Sequence, residues 1–490
     1  MADDLRLKIM IGRRRLVIAV ALGIFLACGP AVVPTTVDAP RLSAVSSAPV
    51  TTLIATPPTT ALSPAEWPLW QRFDPVTLLP HPETSPIELG YAVVAGPDEL
   101  VATIYLQDVL PDNTITTALR VVDGSTGEDV VPLVRLEHLV MPIYPFGGSD
   151  RPPIQFDPRG SSVYWVHPVN ARQGTGGWNL FRYPLAPDRQ PEVVHQFADE
   201  FEPWDFRVTE DGVAIFGTQG LEPLLIFVNE SGKVVAETFL EGLTAVTDGN
   251  ANGSGFAIPA LVWELEDSRL YVAGAAEDRL WVLDLESASL ISQAGFDAGF
   301  SLSTAMAQWF LPTAQAKGSH GVSRNAVLSA DNRHLFLSGA RTKLDENGYE
   351  HLTGLGLVVL DTTSFEVIGG LDLPVSDVSL TPDGQLLFLT GVTDRNTVDP
   401  RNIQASGLYV IDTATMSVHA HLRPEALATV NGFAPEEDQA IVSWWDVIAD
   451  TNSLTSLRLP SLEVLAERPA TGPINVDAGL VLVHMPLLEE

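Results

Sequence analysis

Chemistry in this chain has to come from a short list of side chains. The densest run of oxygen ligands is Asp248-Gly249-Asn250-Ala251-Asn252-Gly253-Ser254. Oxygen-bearing residues at positions 1, 3, 5 and 7, with glycine at 6, resemble the start of a calcium loop, in which alternate side chains of a tight turn converge on one hard cation. The bidentate glutamate that such a loop carries at position 12 is missing, because Pro259 stands there; Glu264 is a later carboxylate that could replace it. The expectation is a weak Ca²⁺ site at Asp248, Asn250, Asn252 and Ser254. The plainer reading of the same run is an Asn/Gly connection with no ion.

Other reactive sets do not assemble in the sequence. Neither the H-E-x-x-H zinc pattern nor a G-x-S-x-G nucleophile elbow occurs. Ser319 and His320 are chain neighbours, which reads as a loop entering a strand rather than a catalytic pair. The lone cysteine, Cys28, leaves no disulfide within the chain, no C-x-x-C-H haem attachment and no cysteine-based zinc site.

Two insertions stand out for binding rather than reaction. Residues 295–320 carry a helix-like stretch with Met306, Trp309 and Phe310, and residues 341–354 (RTKLDENGYEHLTG) are a polar excursion. Long loops on a rigid scaffold are where binding residues concentrate. Trp309 and Phe310 are therefore a candidate partner surface, with core capping as the other use for two large rings. One insertion joins repeats and the other joins strands within a repeat, so opposite rims are open to them. Trp444-Trp445 reads as a strand with one buried ring.

The charge balance narrows the partners. Asp and Glu number 61 against 28 Lys and Arg, a formal charge of −33. Such a surface repels nucleic-acid phosphates and anionic lipid, while cations and cationic partners remain compatible.

The N-terminus reads as an address. A basic segment ending Arg13-Arg14-Arg15 precedes LVIAVALGIFLA at 16–27, an apolar run too short to span a bilayer and right for a signal peptide. The run stops at Leu26-Ala27-Cys28-Gly29, which resembles a bacterial lipobox. That resemblance implies cleavage after Ala27 and acylation of Cys28, the only cysteine, with two chains giving stable anchorage. Residues 28–65, rich in Pro, Thr, Ser and Ala, form a tether. The expected organisation is a signal peptide at 1–27, a lipid-anchored tether at 28–65 and a folded part at 66–490, placed outside the cytoplasm on the membrane of a bacterial cell.

The folded part repeats. VSDVSLTPDGQLLFLTG reads as strand, turn at Pro382-Asp383-Gly384, strand; SGLYVIDTATMSVHAHL supplies a second pair cornering at Asp412. The second corner returns at Asp123, Asp284 and Asp361, with looser versions at Pro184, Asn229 and Pro460; matching corners are spaced about 45 to 77 residues. Four strands per roughly 50 residues is the period of a propeller blade. Strands such as LYVAG and LVVLD are apolar without alternation, as in sheets stacked face to face. Residues 87–468 hold seven such units. GPINVDAGLVLVHM and LWQRFDPVTLLP add one half-unit at each end. The expectation is an all-β fold, a single β-propeller of eight four-stranded blades closed by strands from both termini, or seven if the N-terminal piece is only tether.

VSLTPDGQLLFLTG and GLYVIDTATMSV resemble the YVTN-type propeller repeats, the likeness being specific over 260–420. The resemblance implies secreted or surface proteins of many roles, so function rests on the site. The leading expectation is a non-catalytic, monomeric envelope lipoprotein that binds a protein, glycan or small ligand. The alternative is a metal-dependent hydrolase or lactonase with carboxylates in the propeller channel.

Overall fold

The computed structural model describes residues 69–80, 87–89, 92–109, 115–136, 154–168, 177–186, 188–245, 257–296, 320–344, 350–396, 404–434, 438–470, 474–477 and 480–485. Contact clustering divides the chain into residues 1–55 and 56–490, and all described residues belong to the second unit.

The strands fall into eight antiparallel sets of four, here blades I to VIII. Blade I begins with Ala92–Ala95 and blade II with Ile154–Phe156. Blade III comprises Phe201–Val208, Gly212–Gln219, Glu222–Asn229 and Val234–Phe239. Blade IV comprises Ala260–Glu264, Arg269–Ala273, Arg279–Asp284 and Leu290–Gly295. Blade V comprises His320–Leu328, His334–Leu344, Leu357–Asp361 and Val367–Leu371. Blade VI runs from Asp377–Leu380 to Ser417–Leu422, and blade VII from Ala426–Ala434 to Glu463–Pro469. Blade VIII takes Ile474–Asp477 and Leu480–Met485 from the end of the chain and Leu69–Phe73 and Ile87–Glu88 from its beginning. The two ends zip in register from Leu69 opposite Met485 to Phe73 opposite Val481. This join removes the free sheet edges that an open ring would leave.

Burial explains the strand order. Second and third strands are apolar along their length and buried on both faces; Gly212–Gln219 and Leu357–Asp361 are examples. Fourth strands alternate, as Val234–Phe239 does between half-buried and exposed positions, because one of their faces meets water. Every neighbouring pair of blades shares an apolar layer. Ile104 and Leu119 of blade I pack with Trp165 and Tyr183 of blade II. Blades II, III and IV share a cluster containing Val166, Phe216 and Trp281. Tyr271 and Val282 of blade IV meet Leu337 and Leu360 of blade V. The series continues through Val359 with Leu387, Val410 with Val442, and Ile441 with Val481. It closes with Trp70 and Leu482 of blade VIII against Val93 and Val101 of blade I. A chain of eight face-to-face packings that returns to its start is a closed propeller. Each fully buried large side chain in these layers contributes roughly 1.5–3 kcal/mol.

Two details differ from the sequence reading. The outermost strand of blade VIII is Ile87–Glu88, paired with Leu69 and Trp70, while the expected LLP segment contributes only an isolated bridge between Phe73 and Pro80. The repeating units therefore begin at Ala92 rather than at residue 87. Second, the excursion at 341–354 is partly a β-ribbon. Ala340–Leu344 pairs with an extra strand, Glu350–Gly354, which also pairs with Arg395 and Asn396 and ties blade V to blade VI. A reading that looks for apolar runs passes over such a polar segment.

Candidate binding rim and inner wall

In an antiparallel four-stranded blade, the connections from strand one to two and from three to four lie at one end. Those from two to three, and from each blade to the next, lie at the other. The two rims of this propeller differ accordingly, and both insertions picked out in the sequence belong to the second. Residues 297–319 leave after Phe296 at the end of blade IV and return at His320, and 345–349 join the second strand of blade V to its ribbon partner. The described ends that flank both insertions lie at this one rim, where their different connectivity had left opposite rims open.

The first rim is built from turns that satisfy themselves. At the second-type corners, Asp123 Oδ1 accepts the backbone N–H groups of Ser125 and Thr126 at 2.8 and 2.9 Å, and Asp361 Oδ1 accepts those of Thr363 and Ser364 at 2.9 and 2.7 Å. Asp412 and Asn229 do the same. Hydrogen bonds hold the carboxyls of Asp123, Asp361 and Asp412 below the usual carboxylate range, the largest influence being the Ser125 hydroxyl on Asp123, the Ser364 N–H on Asp361 and the Thr415 hydroxyl on Asp412. At the first-type turns Asp157, Glu264, Ser329 and Thr381 cap their own backbones. Glu264, a conceivable ligand for the Asp248 loop, is thus buried at the turn rim and accepts the N–H groups of Glu266 and Asp267. The run from Asp248 to Ser254 that it would join lies outside the described residues. A shallow hollow of about 170 Å³ on the turn rim is lined by Pro382, Asp383, Gln385, Asp438, Leu459 and Pro460.

The first strands of successive blades neighbour one another and form the inner wall. Asp205, Asn325 and Asp377 occupy one register position there, each four residues before the residue that opens its blade's turn. Asp205 Oδ1 accepts the N–H of Phe206, and Asp377 Oδ1 accepts that of Val378, so the two carboxyls adopt one local geometry. Each also reaches a neighbouring blade. Trp263 Nε1 donates to Asp205 Oδ2 at 2.8 Å, and Asn325 Nδ2 donates to Asp377 Oδ1 at 3.0 Å. Burial pushes the Asp377 carboxyl up to about 6, against the pull of the Val378 N–H. Among the described residues, no three His, Cys, Asp or Glu side chains gather as a metal site requires.

At the long-connection rim, the crevice between blades IV and V concentrates charge. Arg324, on the first strand of blade V, is 3% exposed. Its Nη2 donates to Asp278 Oδ1 of blade IV at 2.8 Å, and its guanidinium lies 5.5 Å from the centre of the Phe296 ring. Burial pulls the guanidinium below the ordinary arginine range, and Asp278 pulls it back. Beside Asp278, Glu277 accepts both the backbone N–H and the hydroxyl of Thr244. Ala257–Ile258 pairs in parallel with Val322 and Ser323. The return of segment 246–256 and the return of 297–319 therefore lie side by side here.

Asp248, Asn250, Asn252 and Ser254, Trp309 and Phe310, and Cys28 all lie outside the described residues. Trp444 is buried and carries Arg423 over its ring at 4.8 Å, while Trp445 is partly exposed, as the one-buried-ring reading expects. Sequence reasoning missed Arg324 and Asp278. The signal present was a basic residue inside a strand otherwise set for burial, in VSRNAVLS.

No family profile matches the chain, and no curated protein matches it. Solved structures do. The WD40 domain of Toxoplasma gondii coronin is 8% identical, with 86% of each chain covered and a TM-score of 0.39. The β-propeller domain of the trilobed protease from Pyrococcus furiosus is 11% identical over 75% of this chain and 94% of that one, TM-score 0.36. The dihydro-haem d1 dehydrogenase NirN is 14% identical over 82% and 78%, TM-score 0.36. Likenesses this distant add nothing to the propeller read from strand pairing and packing.

Proposed function

We propose that this protein is a non-catalytic binding propeller, exported and held at a bacterial cell envelope by an acylated Cys28, that presents its long-connection rim to a protein, glycan or small ligand. The observation that carries the reading is the difference between the rims. One is built largely from turns that cap themselves, while the other collects the longest connections and the charged crevice. The inner-wall carboxylates support a binding role over channel chemistry, because Asp205 and Asp377 hold neighbouring blades through Trp263 and Asn325. The metal-hydrolase alternative has no observation of its own in its favour.

The test is a pair of variants of the full chain in a bacterial host. Cys28→Ser is expected to abolish incorporation of labelled palmitate and to move the protein out of the membrane fraction; retained labelling would overturn the anchor. A Trp309→Ala, Phe310→Ala double variant is expected to keep the wild-type melting temperature and to lose capture of envelope components. Unchanged capture would remove that surface from the reading.

A further inference from the structure

The crevice between blades IV and V holds more than the Arg324–Asp278 pair. Arg341 lies opposite Val322, and Arg324 opposite Gly339, in one antiparallel pair of strands. Residues 339 and 341 share a face, so the two arginines stand diagonally on one side of the sheet. That spacing is about 7–8 Å between backbones, within reach of a single small group for side chains of this length. The shared face is the one that meets blade IV, where Asp278 and Phe296 contact Arg324.

Both guanidinium groups are incompletely satisfied. Only the Nη2 of Arg324 is bonded to Asp278; its Nε is buried with no acceptor. The Nε of Arg341 is buried without a partner as well, and among the described residues Arg341 makes no hydrogen bond or ion pair. Burial alone acts on its charge, pulling it below the ordinary arginine range. Buried N–H donors without acceptors are rare, because they lose water and gain nothing in return. Among the described residues no carboxylate pairs with Arg341, in a chain with 61 acidic residues against 28 basic ones.

We infer that Arg324 and Arg341 form a binding site for a carboxylate group at the long-connection rim, an inference that rests on reading this rim as the binding face. A planar guanidinium fork matches an oxyanion, and a site closed off from water strengthens the bond. Charge selects among oxyanions. Asp278 and Glu277 flank the crevice, and Glu277 acts on the charge of Arg324. These carboxylates offset the charge of Arg324 and leave that of Arg341, which suits a monoanionic carboxylate better than a phosphate dianion.

The test measures the melting of the full chain in detergent at constant ionic strength, with sodium acetate, sodium phosphate or sodium chloride. Acetate is expected to raise the melting temperature, phosphate to raise it less, and chloride not at all. Arg341→Met is expected to weaken acetate binding by about tenfold to a hundredfold. Without acetate it should melt at or above the wild type, because it removes a charge that has no partner. Arg341→Lys should restore part of the binding. No acetate shift in the wild type, or an Arg341→Met variant that melts lower and keeps the shift, overturns the site. A larger shift with phosphate overturns the carboxylate assignment. The readout does not depend on Cys28, Trp309 or Phe310, so it can fail while envelope capture succeeds, and the reverse.

Discussion

The two rims of the propeller are made from the same repeating units and solve opposite problems. At the turn rim, nearly every corner carries its own hydrogen-bonding side chain. Asp123, Asn229, Asp361 and Asp412 hold the second-type corners, and Asp157, Glu264, Ser329 and Thr381 the first-type turns. The other rim also has short connections, such as the Asp446 turn, whose carboxylate accepts the N–H groups of Ile448 and Ala449. The longest connections, 297–319 among them, leave from this rim, and buried donors of Arg324 and Arg341 stay unpaired there among the described residues. Stability gathered at one rim and in the blade layers leaves the other free to hold unsatisfied groups, the usual condition of a binding surface on a rigid scaffold.

Substitutions can break or sharpen that contrast. The largest expected effect is at the turn rim. Gly232 has φ +79°, and a Cβ there would sit 1.9 Å from the Val194 carbonyl oxygen of blade II. Gly232→Ala should cost more than about 3 kcal/mol in denaturant unfolding, because backbone rather than a flexible side chain must yield.

Next comes the inner wall. With its carboxyl pushed up to about 6, Asp377 is easier to protonate in the folded chain than in the unfolded one. Its favourable contribution is fully present below about pH 4 and is lost as pH rises through 6. Asp377→Asn should therefore be more stable than the wild type at pH 8, by on the order of 2 kcal/mol, and the gain should vanish below about pH 4. A gain that persists at pH 3.5 in urea titrations would refute the assignment.

The long-connection rim should tolerate the change that the turn rim rejects. Gly220 has φ +63°, and a Cβ there would have nothing within 4 Å. Gly220→Ala should cost only the left-handed backbone term, about 1–2 kcal/mol. A penalty as large as that of Gly232→Ala would erase the contrast between the rims.

The smallest effect is at a corner. Asp123→Ala should lose on the order of 1 kcal/mol at pH 7. The Asp123 carboxyl is held below its ordinary value, so its contribution is present above about pH 4 and is lost as pH falls through the folded value. Wild type and variant should converge in acid melts, the reverse of the Asp377 profile.

Much of the fold was legible because its determinants are local. The PDG turn at 382–384, the corners at Asp284, Asp361 and Asp412, and the non-alternating strands LYVAG and LVVLD each encode a piece of one blade. The half-blades at the two ends could be counted before their pairing was known. The candidate site was far less legible. Arg324 and Asp278 lie 46 residues apart on different blades, and Arg324 and Arg341 share a face only through strand register. Nothing in the sequence around Glu264 showed that its carboxylate would cap its own turn.

Sequence alone determined the repeating blade and its turns and favoured eight units over seven, because turn chemistry and strand burial act over a few residues and recur; the pairing of Leu69–Phe73 with Val481–Met485 decided the eighth. Tertiary structure decided which charges meet, which rim gathers the long connections and where a donor is left without an acceptor. Those outcomes depend on how neighbouring sheets stack and register, a relation between segments some 50 residues apart that no single segment encodes.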